Sequence, residues 1–133
     1  MYVVSIRYPK QPGGVFNLEH YLNVHVPTGM SLFRAINGFL PKRVLLQHSS
    51  CGLDGNAESA DSYATSWLCF ETREQAAGFS KVFRDPDASR VLIDDMPNYA
   101  PASPTFLVGE MIEIEDLIAS ARRGDLRACK RHR

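Results

Sequence analysis

Long apolar runs are missing from this chain: none approaches the roughly 20 residues that a membrane-spanning helix needs. Cysteine is scarce, with Cys51, Cys69 and Cys129 widely spaced. An odd, dispersed set argues against a disulfide framework and against a paired zinc or redox motif, and a reducing, cytoplasmic setting follows. The N-terminus has no basic leader and no long apolar segment, so it reads as a strand and not as a signal peptide. Gly-rich phosphate loops, dinucleotide fingerprints and nucleophile elbows do not occur. Net charge is also absent, at +0 over 133 residues, but its distribution is uneven. Residues 122–133 hold Arg122, Arg123, Arg127, Lys130, Arg131 and Arg133 against Asp125, a net +5 that leaves −5 on residues 1–121. The acidic body, and a tail without aromatics, speak against nucleic-acid binding. The tail reads as a solvated extension, dispensable for folding from about Gly124. One domain over residues 1–121 accounts for the rest.

What is present is strongly patterned. Tyr2 to Tyr8 alternates as a strand, followed by a Pro/Gly turn. Asn17 is a good helix N-cap, and Leu18, Tyr21, Leu22 and His25 share one face at helical spacing. Pro27 lacks a donor and disfavours the α region at Val26, which predicts a kink or restart there. The helical pattern resumes through Met30, Phe33 and Ile36 and stops at Gly38. A strand over Pro41–Ser49 and a polar, mobile hairpin loop over Cys51–Ser62 come next. In the strand Tyr63–Glu71, Trp67 points with Thr65 and Cys69, and Ala64, Ser66, Leu68 and Phe70 point the other way. Thr72 and Gln75 form a capping box; Asp85 caps a further helix that carries Asp94 and Asp95. An irregular stretch over Met96–Pro104, a strand over Thr105–Ile114 and a short helix over Glu115–Arg123 complete the chain. The order β-α-β-β-α-β predicts an α+β, ferredoxin-like unit: a four-stranded antiparallel sheet with helices on one face. Apolar residues on the other face predict a homodimer burying more than about 1,000 Å², the two sheets closing into a barrel around the pocket.

The segments Tyr8-Pro9-x3-Gly13, Phe16-Asn17-x3-Tyr21-x3-His25-x-Pro27 and Pro97-Asn98-Tyr99 together resemble the EthD family, named after a protein linked to ethyl tert-butyl ether degradation. The resemblance spans residues 1–115. It implies a dimeric α+β barrel of ferredoxin-like subunits, in a superfamily that includes muconolactone isomerases and cofactor-free polyketide-type monooxygenases. It also implies dehydration, decarboxylation or isomerisation of aromatic or polyketide-like substrates. Two departures stand out: Asn17 replaces the family's more frequent Asp, and the loop at 51–62 is long.

The candidate site is centred on His25, whose ordinary pKa of about 6.5 suits it to exchange protons near neutrality. Tyr21, one turn earlier, is positioned to orient it or to donate to an oxyanion. Asp95, Asn98 and Tyr99 follow the acidic helix, and the resemblance brings that loop close to the first helix, so the expected partner of His25 is Tyr21, Asp95 or Tyr99, or a backbone carbonyl freed near Pro27. Trp67 is a candidate aromatic floor for a planar substrate. Against these roles stand ordinary ones: core packing for His25, Tyr21, Trp67 and Tyr99, and a solvated helix end for Asp94 and Asp95. His20 and His25, five apart, lie about 140° apart around an α-helix, which excludes them as a ligand pair; His48 and His132 have no neighbouring ligand motif. The reading is therefore one without metal or cofactor. Either the chain is an enzyme acting on a small hydrophobic or aromatic carbonyl compound, with His25 as acid/base, or it is a non-catalytic ligand-binding, accessory or purely structural protein. A pocket above about 300 Å³ lined by His25 would favour ligand binding.

Overall fold

The computed structural model describes residues 1–124; of the basic tail, residues 125–133 lie outside the described part, and the dispensability of the tail is not tested by it. Four strands, β1 (Tyr2–Pro9), β2 (Arg43–His48), β3 (Ser62–Phe70) and β4 (Thr105–Glu110), form one sheet in the order β2-β3-β1-β4. All three pairings are antiparallel, with Val4 opposite Leu68 and Val108, and Leu68 opposite Val44. The helices are α1 (Leu18–His20), α2 (Val26–Asn37), α3 (Arg73–Arg84), α4 (Pro86–Asp95) and α5 (Glu115–Arg122). Strand order and antiparallel pairing are those expected, with β2 and β4 shorter than their apolar patterns suggest.

The alternation of β1 and β3 decides where the core lies. Val4, Ile6 and Tyr8 on β1 and Ala64, Leu68 and Phe70 on β3 are buried against Phe33 of α2, Ala76 and Val82 of α3, and Ala88 and Leu92 of α4. Local signals set the helix boundaries. Thr72 and Gln75 make the reciprocal capping box, and Asp85 accepts from the backbone of Asp87 and Ala88 at the start of α4. Gly38 ends α2 with φ +80°, a left-handed conformation open to glycine at little cost. Gly78 serves a different purpose. A Cβ there would stand 2.6 Å from Asn37 Oδ1. Its absence lets α3 approach α2 closely enough for Asn37 Nδ2 to donate to the Gly78 carbonyl at 3.0 Å.

Pro27 does not act as expected. Val26 stays in the α region (φ −63°, ψ −48°), and Pro27 sits in the first turn of α2, which continues directly from the turn before it. The departure from α geometry lies one turn earlier. Residues Tyr21–His25 form a π-helical turn, with the Val26 N–H bonded to the Tyr21 carbonyl five residues back. The expected restart occurs, without the expected departure of Val26 from helical geometry.

The other face of the sheet carries Leu45, Trp67 and Leu107, among others. Leu45 and Leu107 are 44% and 66% exposed. Beyond β4, Met111, Ile112, Ile114 and Ile118 are also exposed.

Candidate functional site

The π turn brings together what an α-helix would separate. In an i→i+5 turn, residues five apart come onto one face. His20 Nε2 and His25 Nδ1 therefore reach the same carboxylate, 2.8 Å from Asp95 Oδ1 and 3.0 Å from Asp95 Oδ2. This corrects the α-helical separation of about 140° that the spacing implies.

Asp95 ends α4, where the helix dipole disfavours a negative charge. Three donors compensate: His20, His25 and Asn98, whose Nδ2 lies 3.1 Å from Oδ1. Burial by itself would raise the Asp95 pKa. The hydrogen bonds from Asn98, His20 and His25 outweigh it and hold the carboxyl below its ordinary value. His25 moves down as well: burial disfavours the imidazolium, and Asp95 offsets only part of that. Neutral His25 facing an ionised carboxylate must carry its proton on Nδ1, because the carboxylate can only accept. Nε2 is then an acceptor, and the Tyr99 hydroxyl lies 3.0 Å from it.

Tyr99 is held from two sides. Its backbone carbonyl accepts from the Asn17 N–H at 2.8 Å, which ties the 96–99 turn to the start of α1. Its hydroxyl is 3.2 Å from that of Tyr8. The rings of His25 and Tyr99 are 4.4 Å apart, and Tyr21 stacks on His25 at 5.7 Å with 18° between the planes. Tyr21 does not bond to His25; its hydroxyl pairs with Ser66 Oγ at 2.5 Å. Burial is the main force raising the pKa of Tyr8, Tyr21 and Tyr99, so all three are neutral hydroxyls at ordinary pH.

These groups form the polar end of a cavity of about 60 Å³ between the sheet and the helices. Tyr8, Tyr21, His25, Ser66 and Tyr99 line it, along with apolar side chains such as Phe33, Leu68, Phe83 and Leu92. Among the described residues, no Lys, Arg, Asp or Glu lines it. This cavity lies within one chain, on the helix side of the sheet. Its free volume is below the roughly 300 Å³ that would favour ligand binding. Met30 and Met96 form part of its wall, and methionine side chains repack at low cost.

Of the sequence-selected residues, His25, Tyr21 and Tyr99 line the cavity, and Asp95 and Asn98 stand behind His25. Trp67 does not join them. The pleat that buries Ser66 and Leu68 against the helices turns Trp67 to the opposite face, so it forms no floor for this cavity. His25 combines two characters: it lines a cavity, as a proton-transfer group should, and both ring nitrogens are taken by protein groups, as in a core histidine. Sequence reasoning passed over Tyr8, Ser66 and His20. Strand parity places the first two on the buried face; only knowledge of the π turn would have found the third.

No family model and no curated protein matches the chain. Solved structures do. An EthD-like protein from Ralstonia eutropha JMP134 matches with TM-score 0.60 at 16% identity, over 85% of this chain and 93% of that one. An ethyl tert-butyl ether d (EthD) family protein from Bacillus halodurans C-125 matches with TM-score 0.54 at 19% identity, over 84% and 99%. The chain has the fold of these EthD-type proteins.

Proposed function

We propose that this is an EthD-like protein that binds a small hydrophobic or aromatic carbonyl compound and exchanges a proton with it through His25, without a cofactor. The observation that carries the reading is the chain Asp95–His25–Tyr99, which begins at a carboxylate outside the cavity and ends at a hydroxyl inside it. Asp95 fixes the imidazole tautomer and stabilises the imidazolium that forms. Tyr99 lies between Nε2 and the cavity. As a proton leaves the carbon next to the ligand's carbonyl, it passes to the Tyr99 oxygen while the Tyr99 proton moves to Nε2. The electron pair of the broken C–H bond becomes that of an enolate, with the Tyr21–Ser66 hydroxyls near enough to donate to it. Isomerisation, dehydration and decarboxylation are all reached through such an enolate.

The occupied ring nitrogens and the small free volume also support a second reading: a non-catalytic ligand-binding or accessory protein of a degradation pathway. Under both readings the protein works as a homodimer, because exposed Leu45 and Leu107 call for a cover. Unpaired Cys51 and Cys69 accord with a cytoplasmic setting.

Thermal melts of wild type and His25→Asn, with and without a panel of phenolic ketones and aromatic lactones, test the proposal. The expected result is a ligand-induced rise in the wild type that His25→Asn removes. If no ligand raises the wild-type melting temperature, and His25→Asn costs about 1–3 kcal/mol as an unsatisfied buried group would, the residue is structural and both ligand readings fall.

A further inference from the structure

The hydrogen bonds at the polar end of the cavity have a direction, and one carboxylate sets it. Asp95 Oδ1 takes two donors, His20 Nε2 at 2.8 Å and Asn98 Nδ2 at 3.1 Å, and Oδ2 faces His25 Nδ1 at 3.0 Å. A carboxylate so surrounded by donors is ionised and has no proton to give. His25 must therefore donate from Nδ1, which leaves Nε2 with a lone pair. Tyr99 has one proton, and Nε2 claims it at 3.0 Å. The contact between the Tyr8 and Tyr99 hydroxyls, 3.2 Å, can then be a hydrogen bond only if Tyr8 donates. Every proton in the series Tyr8, Tyr99, His25 points toward Asp95. Tyr8 has then used its single proton, so its oxygen can only accept; the neighbouring Tyr21 hydroxyl is engaged by Ser66 Oγ at 2.5 Å. Tyr8 lines the cavity, 2% exposed, and no Lys or Arg of the described residues lines it to invite an anion.

We infer that Tyr8 is the ligand-contacting end of a directed proton chain, and that the group it recognises is a neutral hydrogen-bond donor: the O–H of an alcohol, a phenol or an enol, not the oxygen of a carbonyl. The inference rests on the cavity being the ligand site, and within that reading it narrows carbonyl ligands to those that present an enol or hydroxyl form. For such a ligand the proton enters at Tyr8, in place of the direct transfer from carbon to Tyr99, and the course balances. The ligand O–H bond breaks as an O–H bond forms on Tyr8. The former Tyr8 proton bonds to the Tyr99 oxygen, and the former Tyr99 proton bonds to His25 Nε2. One proton has moved, no electron has changed hands, and the product is an alkoxide or enolate across the relay from an imidazolium that Asp95 holds.

The direction can be read without any ligand. Nitrogen-15 NMR of the histidine rings at pH 8 is expected to show His25 as the Nδ1–H tautomer in wild type and in Tyr8→Phe alike. An Nε2–H tautomer would reverse the chain and overturn the inference. Ligand choice is then measured by NMR titration with near-isosteric pairs, 2-propanol against acetone and phenol against fluorobenzene. The hydroxyl member of each pair should bind about tenfold more tightly, as expected when a buried acceptor is otherwise left unpaired. Tyr8→Phe should erase that preference, because it removes the oxygen but leaves the ring. Equal or tighter binding of acetone and fluorobenzene would sink the donor rule and leave the cavity as the ligand site. Failure of all four probes to perturb the resonances of Tyr8, Tyr99 and His25 would remove the cavity reading itself, and the inference with it.

Discussion

The two faces of the sheet differ in completeness. On the helix side, Val4, Phe33, Phe70 and Tyr99 are each at most 1% exposed, and every buried polar side-chain atom among the described residues has a partner. On the other side, and along β4 and the segment after it, Leu45, Leu107, Ile112 and Ile114 stand between 44% and 72% exposed. The helix face is therefore a packed interior at its centre, open where Val44, Phe106 and Val108 of the edge strands are 41–56% exposed. The other face buries Val3 and Cys69 but leaves Leu45 and Leu107 uncovered. The difference separates two questions that the sequence had joined. The described lining of the polar cavity comes from one chain, so its chemistry and the oligomeric state can be tested separately.

The sharpest way to break the comparison is to damage the helix face. Phe33→Ala removes a ring packed against Phe39 and Phe70 and should cost about 3–5 kcal/mol in denaturant unfolding. A loss below about 1 kcal/mol would mean that the helix side is loosely packed. Asp95→Asn should come next, at about 1–3 kcal/mol, because His20 and His25 lose the charged acceptor they share; the imidazole NMR signals of both should shift together. The pH dependence is smaller and has a definite sign. The His25 pKa is lowered in the folded state, so between that value and about 6.5 the unfolded chain binds more protons. The stability held above pH 6.5 should be lost as pH falls through the folded value. Asp95, also lowered, adds a second loss beginning below about pH 4. Melting temperatures of wild type and His25→Asn from pH 8 to pH 3 check this: the mutant should lack the upper part of the decline. The smallest effect on stability belongs to the other face. Leu107→Lys should change the melting temperature of the isolated chain little, since a surface site away from packing carries within about 0.5 kcal/mol. It should nevertheless move the sedimentation coefficient from dimer to monomer. A wild type that sediments as a monomer at micromolar concentration would leave the open face unexplained and remove the barrel.

The fold was legible because its signals are local and repeated. Alternation in β1 and β3, the Thr72 capping box, Asp85 before Pro86 and Gly38 after α2 each specify an element, and their order leaves few topologies. The site was legible in part, and the reason is the period. His25, Tyr21 and Tyr99 were found because they are chemically distinctive residues in a motif. Their connections were legible only as alternatives: Asp95 and Tyr99 were expected partners of His25 because the resemblance brings their loop to the first helix, while nothing in the spacing itself encodes a contact that spans 70 residues. His20 was excluded by an α-helical wheel laid over a turn that is not α-helical. Trp67 was assigned to the site on its chemistry, against the parity of its own strand. The size of the cavity has no signature in a sequence, because it is the small remainder of many side-chain volumes.

The π turn also fixes what changes of chain length the site can bear. It houses one residue more than an α-helical turn does. Deleting Asn23 would leave the two histidines four apart, a spacing that still places both on one face of an ordinary α-helix. Inserting a residue there would set them six apart, which aligns them in neither helix type. A shorter loop between the histidines is thus a tolerable change and a longer one is not, an asymmetry invisible to any comparison that treats gaps in the two directions as equivalent.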